Sequence, residues 1–178
     1  MAEPEPYFFY DRDALILIDV DGVLNPWSRQ GPNWREYRAV ADGITWNVVL
    51  TPDHGAMLLT LAAETGAELV WATTWDHDAN REIGPRVGLP ELPVIETRTH
   101  PGVPGVHPKV PPVAEYVAGR PFVWFDDDLR RTDRDYLKAH PGVGDFLIVD
   151  VGPRAGLTPK HVGQAAEWLA GLSTPKES

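Results

Sequence analysis

The stretch Leu15-Ile-Leu-Ile-Asp19-Val-Asp21-Gly22 decides how the rest of the chain is interpreted. Its four apolar residues have the length and type expected of a strand that is buried on both faces of a parallel sheet. Two carboxylates follow at once, at the edge where open α/β sheets bind their ligands. Because such carboxylates repel each other unless a cation or a proton lies between them, the pattern indicates a candidate site. Gly22 permits the sharp turn that follows.

An Asp-rich turn is the plain alternative for the same letters, and a fragment of a calcium-binding loop is another. An EF-hand loop needs further oxygen ligands and a Glu at its twelfth position, whereas this chain continues as Asn25-Pro26-Trp27. Calcium is therefore the weaker option. The Asp-rich turn stays open until the other motifs are weighed with it.

The composition fits one domain, residues 1–178, with a substantial core, because 43% of the 178 residues are hydrophobic. The chain has no cysteine, which excludes disulfides, thiolate zinc sites and cysteine nucleophiles. Its formal net charge of −10 opposes a long nucleic-acid groove, where affinity comes from many cationic contacts. A small phosphorylated substrate or a single strand end stays compatible, because a bound Mg²⁺ and a few cations can reverse the charge locally.

The start of the chain, Met1 to Pro6, has neither the basic residues nor the apolar stretch of a signal peptide. No later apolar run approaches membrane-spanning length, so we expect a cytoplasmic protein without a membrane segment. Residues 1–10 are predicted to form an extended segment, in which the aromatic cluster Tyr7 to Tyr10 packs against the sheet edge or the underside of the core. The oligomeric state is left open.

Residues 26–50 are predicted to form a β-hairpin flap immediately downstream of the two aspartates. Asp42-Gly43 lies between the segments 34–41 and 44–50, and Asp-Gly in such a position is a strong hairpin signal. The region is too short for a large helical cap. We therefore expect an open site that admits a bulky substrate end or closes through a partner subunit.

The rest of the chain alternates apolar runs with helical patterns, which predicts an α/β fold around a parallel sheet of about five strands. The strands are predicted at 15–18, 68–72, 92–95, 122–125 and 146–149. The first two helices are predicted from Thr51 to Gly66 and within 76–88, where the second closes at Gly84-Pro85. The third is predicted from Pro111 or Pro112 to Ala118. The fourth is predicted from Asp128, as its N-cap, to about His140, and the last begins at Thr158-Pro159.

Further polar residues lie at or beside the predicted strand ends. Thr73 directly follows the strand at 68–72, and Thr74 is the alternative because strand-end register is uncertain by a residue or more. Lys109 precedes a predicted helix. Taken singly, a threonine here is usually a helix cap and a lysine in a loop is usually a solvated charge. His100 and His107, in the Pro-rich loop before Lys109, are expected to be solvated, and zinc is a weak alternative for them.

Asp126-Asp127-Asp128 follows the four apolar residues of the strand at 122–125. Three adjacent carboxylates would repel strongly without a cation, so a purely structural role is a weak interpretation of this motif. We expect Asp128 to be the N-cap of the next helix.

In this order, the motifs resemble those of the haloacid-dehalogenase-like (HAD) phosphohydrolases over most of the chain, from Ala14 to Val149. The first motif of that family, hhhhDxDGxh, matches residues 15–24. The resemblance implies that Asp19 is the nucleophile that becomes phosphorylated and that Asp21 is the general acid and base. It implies that Thr73 hydrogen-bonds the transferring phosphoryl group and that Lys109 neutralises the nucleophile and a phosphoryl oxygen.

The same resemblance implies a three-layer Rossmann-like fold with the first motif on its central strand, a short flap and no large cap domain. It implies a Mg²⁺ ion held by the Asp19 carboxylate, the Asp21 backbone carbonyl and Asp126 or Asp127. Asp126 is expected to be the direct ligand, and Asp127 is expected to bind directly or through water.

Finer features are similar to the small HAD domains found with RNA-repair enzymes, which trim phosphates from polynucleotide ends. These features are the short flap, the segment Trp71-Ala-Thr-Thr-Trp75 and the segment Trp124-Phe-Asp-Asp-Asp128. We therefore expect a Mg²⁺-dependent phosphatase that acts through an aspartyl-phosphate on a small phosphorylated substrate, a nucleotide or a nucleic-acid end. A small-metabolite phosphatase and a non-catalytic phosphate-sensing module stay open as alternatives.

Tryptophans surround the predicted site, at positions 27, 34, 46 and 75. Core packing is the default interpretation for each of them, since large aromatic side chains are usually buried. A tryptophan on a flap could instead stack a nucleobase. Such stacking would let an acidic protein bind a nucleotide without a long basic groove.

Overall fold

The computed structural model describes residues 14–172. The predicted segment 1–10 and its aromatic cluster therefore lie outside the described residues. The strands are β1 (Leu15–Ile18), β2 (Arg35–Ala41), β3 (Ile44–Leu50), β4 (Glu68–Trp71), β5 (Phe122–Asp126) and β6 (Phe146–Asp150). The helices are α1 (Pro52–Thr65), α2 (Gly84–Val87), α3 (Val110–Val117), α4 (Arg131–Ala139) and α5 (Pro159–Leu172). Within residues 14–172, none of the helices has both the length and the apolar composition needed to cross a membrane.

The central sheet has four parallel strands in the order β4-β1-β5-β6. β1 is an inner strand, and its four residues are completely buried. Since side chains alternate along a strand, Ile16 and Ile18 join the core beneath α1 and α5, whereas Leu15 and Leu17 join the core beneath α3 and α4. The result is the three-layer Rossmann-like arrangement that the sequence predicts.

The predicted strand at 92–95 is not formed as a regular strand. Val94 makes an isolated parallel bridge with Trp71, in which the backbone N–H groups of Trp71 and Ile95 each donate one hydrogen bond. Pro93 accepts one of these bonds through its carbonyl, but it has no N–H to extend the ladder. The segment therefore only flanks the edge strand β4.

Two predicted helix boundaries are wrong. The helix within 76–88 does not close at Gly84-Pro85, because a π-helical turn at Ala79–Ile83 leads into α2, which ends at Gly88 with φ +81°. Asp128 is not the N-cap of α4, which begins only at Arg131. Instead, the Asp133 carboxylate accepts a hydrogen bond from the backbone N–H of Arg130 at 2.8 Å. An acid in the first turn of the helix thus provides the acceptor for a backbone N–H that has no partner within the helix.

The predicted hairpin is confirmed as the antiparallel pair β2 and β3, which turns at Asp42-Gly43. Both turn residues have positive φ angles, 51° and 74°, as a tight two-residue hairpin turn requires. Near its base the hairpin buries Val48 and Leu50 in the core, whereas Ile44 and Trp46 near its tip are exposed. No large cap is present among residues 14–172, so this hairpin is the flap.

Helix α1 packs closely on the end of α2 at a single glycine. A methyl group added at Gly55 would lie 1.9 Å from the carbonyl oxygen of Val87, whereas one added at Gly163 in α5 would meet nothing within 4 Å.

We predict that Gly55→Ala lowers the free energy of unfolding by at least about 1–3 kcal/mol through overpacking. Gly163→Ala, the matched control, should raise it by about 0.5–1 kcal/mol through helix propensity. Urea denaturation measures both, and a Gly55→Ala protein as stable as wild type would contradict this packing.

Candidate active site

The carboxyl ends of β1 and β5 bring two aspartates side by side. Ile18 is in register with Phe125, so Asp19 and Asp126 leave neighbouring strands at the same edge of the sheet. The Asp19 backbone N–H still donates to the Phe125 carbonyl at 3.2 Å, and its Oδ1 accepts the N–H of Val20 at 2.8 Å. Both aspartates are buried, Asp126 completely. The buried strand residues before Asp19 and Asp126 thus fix the positions of the two carboxylates.

Lys109 lies between these two carboxylates, directly before α3. Its Nζ donates to Asp19 Oδ2 at 2.9 Å and to Asp126 Oδ2, and its side chain is only 4% exposed. The loop that carries Lys109 is anchored to α4, because the His107 backbone N–H donates to Asp133 Oδ1 at 2.7 Å. The structure therefore brings together a predicted nucleophile, a predicted metal ligand and the predicted basic residue.

Asp127 adds a third carboxylate, and oxygens of Asp19, Asp126 and Asp127 lie within 4.8 Å of one another. Burial raises the pKa of Asp19 well above its usual range, which the charge of Lys109 only partly offsets. Burial and the neighbouring Asp126 also raise the pKa of Asp127. Burial would lower the pKa of Lys109, but the charges of the surrounding aspartates outweigh it and raise that pKa. Three carboxylates thus share one ammonium, and the cluster favours a further positive charge.

Gly22 is the residue that lets Asp127 approach the first motif. Its φ is +77°, and a Cβ added there would lie 2.1 Å from Asp127 Oδ2. Any side chain at position 22 would therefore be strained and would also displace a carboxylate of the cluster. Glycine is required here for both reasons.

An open cavity of about 750 Å³ lies over this cluster. Its wall combines charged and polar residues with an apolar part formed by Pro26, Trp27, Val49 and Pro153. The charged residues in the wall are Asp19, Asp21, Lys109, Asp127 and Asp128. Asp126 is completely buried and is not in the wall; its Oδ1 accepts the Asp128 backbone N–H at 2.9 Å, and its Oδ2 accepts from Lys109.

Asp21 is an exposed acid in the cavity wall, two residues after the buried Asp19. Its Oδ1 accepts the side-chain amide of Asn25 at 2.9 Å, and its Oδ2 accepts the indole N–H of Trp75 at 2.9 Å. Asp21 therefore lines the cavity while each of its carboxylate oxygens accepts a hydrogen bond from a neighbouring side chain.

The two candidate threonines after β4 lie in different places. Thr73 is buried, and its Oγ1 accepts the backbone N–H of Trp75 at 3.2 Å. Thr74 is exposed and lines the cavity together with Asp19 and Asp21. Of the two, only Thr74 is in the wall of this cavity.

Comparison with known protein families agrees with this architecture. Residues 15–162 match the family described as the HAD domain in Swiss Army Knife RNA repair proteins. The chain belongs to this HAD family. No match was found among curated proteins or among solved structures. Family membership points to hydrolase chemistry of the phosphatase type.

Sequence reasoning missed the places of His107 and Asn25, which both lie in the wall of the cavity. His107 is not a solvated loop residue: it is half-buried in the wall, its Nδ1 accepts the Lys109 N–H at 3.3 Å, and burial lowers the pKa of its imidazole. The sequence signal for this position of His107 was its spacing of only two residues from Lys109. Asn25 was seen only as part of a loop, although it lies four residues after Asp21.

The four tryptophans divide into two pairs. Trp34 is nearly buried and packs edge-on against His54 of α1, with ring centroids 5.0 Å apart, and Trp75 is 3% exposed. Trp27 and Trp46 are 69% and 50% exposed. Trp27 lines the main cavity, and Trp46 lines an adjoining cleft that also contains Asp21 and Thr74. Stacking of a ligand is therefore possible only at Trp27 and Trp46 among these four.

We predict that Lys109→Met lowers the free energy of unfolding by about 3–5 kcal/mol, because it leaves buried carboxylates without their cationic partner. Lys138→Met, at an exposed position of α4, removes the same charge and should change stability by no more than about 0.5 kcal/mol. Chemical denaturation at neutral pH compares the two variants with wild type. Equal stability of the two would show that the buried network does not depend on Lys109.

Proposed function

We propose that the protein is a Mg²⁺-dependent phosphomonoester hydrolase that acts through an aspartyl-phosphate on Asp19. The observation that carries the proposal is the buried Asp19–Lys109–Asp126 network, which opens into a cavity beside the exposed Asp21. A carboxylate held by an ammonium group, with a second acid two residues away, supplies a nucleophile and a proton donor in one place.

The acidic cluster is chemically suited to Mg²⁺, because it offers only oxygen ligands and has too little positive charge of its own. Asp19, Asp126 and Asp127 would hold the ion, together with the Asp21 backbone carbonyl. Asp127 is the most exposed of these three carboxylates, and it lines the cavity together with Asp19. When bound, Mg²⁺ would screen the negative charges of the nucleophile and the phosphoryl group from each other.

The residues of the chain then act in two steps. A carboxylate oxygen of Asp19 attacks phosphorus, the bond from phosphorus to the leaving oxygen breaks, and Asp21 donates a proton to that oxygen. In the second step Asp21 takes a proton from water, which attacks the phosphorus and releases inorganic phosphate and the free Asp19. Lys109 holds the Asp19 carboxylate in place. Thr74, in place of the Thr73 favoured by sequence register, hydrogen-bonds a phosphoryl oxygen.

For the substrate we propose a nucleotide or a polynucleotide end. The exposed rings of Trp27 and Trp46 flank the site, and stacking on such a ring contributes about 1–3 kcal/mol per base in single-strand binders. The guanidinium of the exposed Arg154 lies 5.8 Å from the centre of the Trp27 ring, so a cation is available beside it for a neighbouring phosphate. A family found in RNA repair proteins is consistent with this substrate class. The alternatives are a small-metabolite phosphatase and a phosphate-sensing module without turnover.

We predict that wild type releases phosphate from an aryl phosphate only with Mg²⁺, and that Asp19→Asn abolishes this release, because an amide is not a nucleophile. Asp135→Asn makes the same chemical change on the exposed face of α4 and should leave the rate unchanged. A phosphate-release assay with and without EDTA measures these rates, and circular dichroism checks that both variants fold. Full activity in EDTA or in Asp19→Asn would contradict the mechanism, and no turnover of any phosphate by wild type would favour the sensing module.

We predict that Trp46→Ala and Trp27→Ala raise the KM for oligonucleotide terminal phosphates about five- to a hundredfold through loss of stacking, and leave the KM for sugar phosphates unchanged. Trp168→Ala, on α5 and outside both clefts, is the matched control. Steady-state kinetics on the two substrate classes gives both constants. Preference for sugar phosphates with no effect of either variant would identify a small-metabolite phosphatase.

A further inference from the structure

We propose that Trp75 and Asn25 are positioning residues, which hold the Asp21 carboxylate in the orientation that proton transfer requires. The inference rests on the proposed function, because it concerns the acid and base of that reaction. One N–H donor reaches each carboxylate oxygen: the Trp75 indole binds Oδ2 and the Asn25 amide binds Oδ1, both at 2.9 Å.

An exposed aspartate needs such support in order to act as a general acid. Its side chain has two rotatable bonds, and proton transfer demands that one oxygen stays within about 2.6–3.2 Å of the leaving oxygen. Two donors on different oxygens fix both torsions, since rotation about either bond would break a hydrogen bond. Each carboxylate oxygen has a second lone pair that remains available for the substrate, and neither the indole nor the amide N–H can accept the proton.

The Trp75 indole is itself rigidly held. The residue is 3% exposed, its backbone N–H donates to Thr73 Oγ1, and its carbonyl accepts from Arg98 Nη2 at 3.1 Å. The same guanidinium donates to the Thr74 carbonyl at 3.0 Å and to the Asp78 carboxylate at 3.1 Å. The donor to Asp21 is therefore anchored through both its ring and its backbone.

Asn25 connects the acid to the flap. Its Oδ1 accepts the backbone N–H of Val49 in β3 at 2.8 Å, while its Nδ2 donates to Asp21. The far end of the flap is also fixed, because the backbone N–H of Asp42 donates to Asp78 Oδ2 at 2.9 Å. One amide group thus joins β3 to the general acid, and a shift of β3 away from the site would withdraw a donor from Asp21.

The test is Trp75→Phe, which removes the indole N–H and keeps an aromatic ring. We expect kcat/KM, which reports the first chemical step and not the later attack of water, to fall about ten- to a hundredfold for alkyl phosphates, whose leaving group needs the proton. For aryl phosphates, which leave readily, kcat/KM should change little. In an Asp21→Asn background the effect of Trp75→Phe should disappear, because there is no acid left to position.

Trp71→Phe is the matched control. Trp71 is also a buried tryptophan whose indole N–H donates to a side chain, Asn80 Oδ1 at 2.8 Å, but it does not touch Asp21. It should show no difference between leaving groups. An equal loss of kcat/KM on both substrate classes for Trp75→Phe, or a loss that persists unchanged in the Asp21→Asn background, would overturn the positioning role.

Hydrogen exchange of the indole and amide protons, followed by NMR, tests the same contacts without turnover. Asp21→Ala should speed exchange of the Trp75 indole N–H, and Asn25→Leu should speed exchange of the Val49 amide. Unchanged exchange in both would show that these hydrogen bonds do not form, whatever the activity. If wild type hydrolyses no phosphomonoester while exchange responds as expected, both the proposed function and the positioning role are contradicted, whereas the hydrogen bonds themselves are supported.

Discussion

The ammonium of Lys109, buried between the carboxylates of Asp19 and Asp126, is the interaction on which the site depends. Burying two carboxylates at the end of neighbouring strands is costly unless a cation compensates them. Lys109 supplies that charge and ties the loop before α3 to the end of the sheet. With Asp127 added, one ammonium no longer suffices, and the remaining imbalance is what makes the cluster suitable for a divalent cation.

The second constraint concerns the exposed half of the site. Asp19 is fixed by its strand and by its burial, whereas Asp21 stands in the cavity and is held only by side chains from elsewhere. Arg98, Trp75 and Asn25 form a frame that runs from the loop after β4 to the flap. Asp19 and Asp21 are therefore positioned by different means: the first by the core and the second by a polar network at the surface.

This division also accounts for the tryptophans. Trp34 packs against His54, and the indole of Trp75 donates to Asp21, so both have a structural contact. Trp27 and Trp46 remain exposed beside the two clefts. Under the proposed function, these rings, the nearby Arg154 and the acidic cluster with its cation would be the means by which an acidic chain holds an anionic nucleotide.

The sequence by itself determined the features that depend on local spacing: the buried run before Asp19, the Asp42-Gly43 hairpin, and the order of acids and lysine along an α/β chain. It did not determine features that depend on neighbours distant in the chain. The segment 92–95 has an apolar pattern, but Pro93 limits its pairing with β4 to a bridge. Only the tertiary structure decided that Thr74 lines the cavity, and that Trp75 binds Asp21 from 54 positions away. The physical reason is that hydrophobic periodicity encodes which face of an element is buried, whereas a hydrogen bond between two loops depends on how the whole sheet brings their ends together.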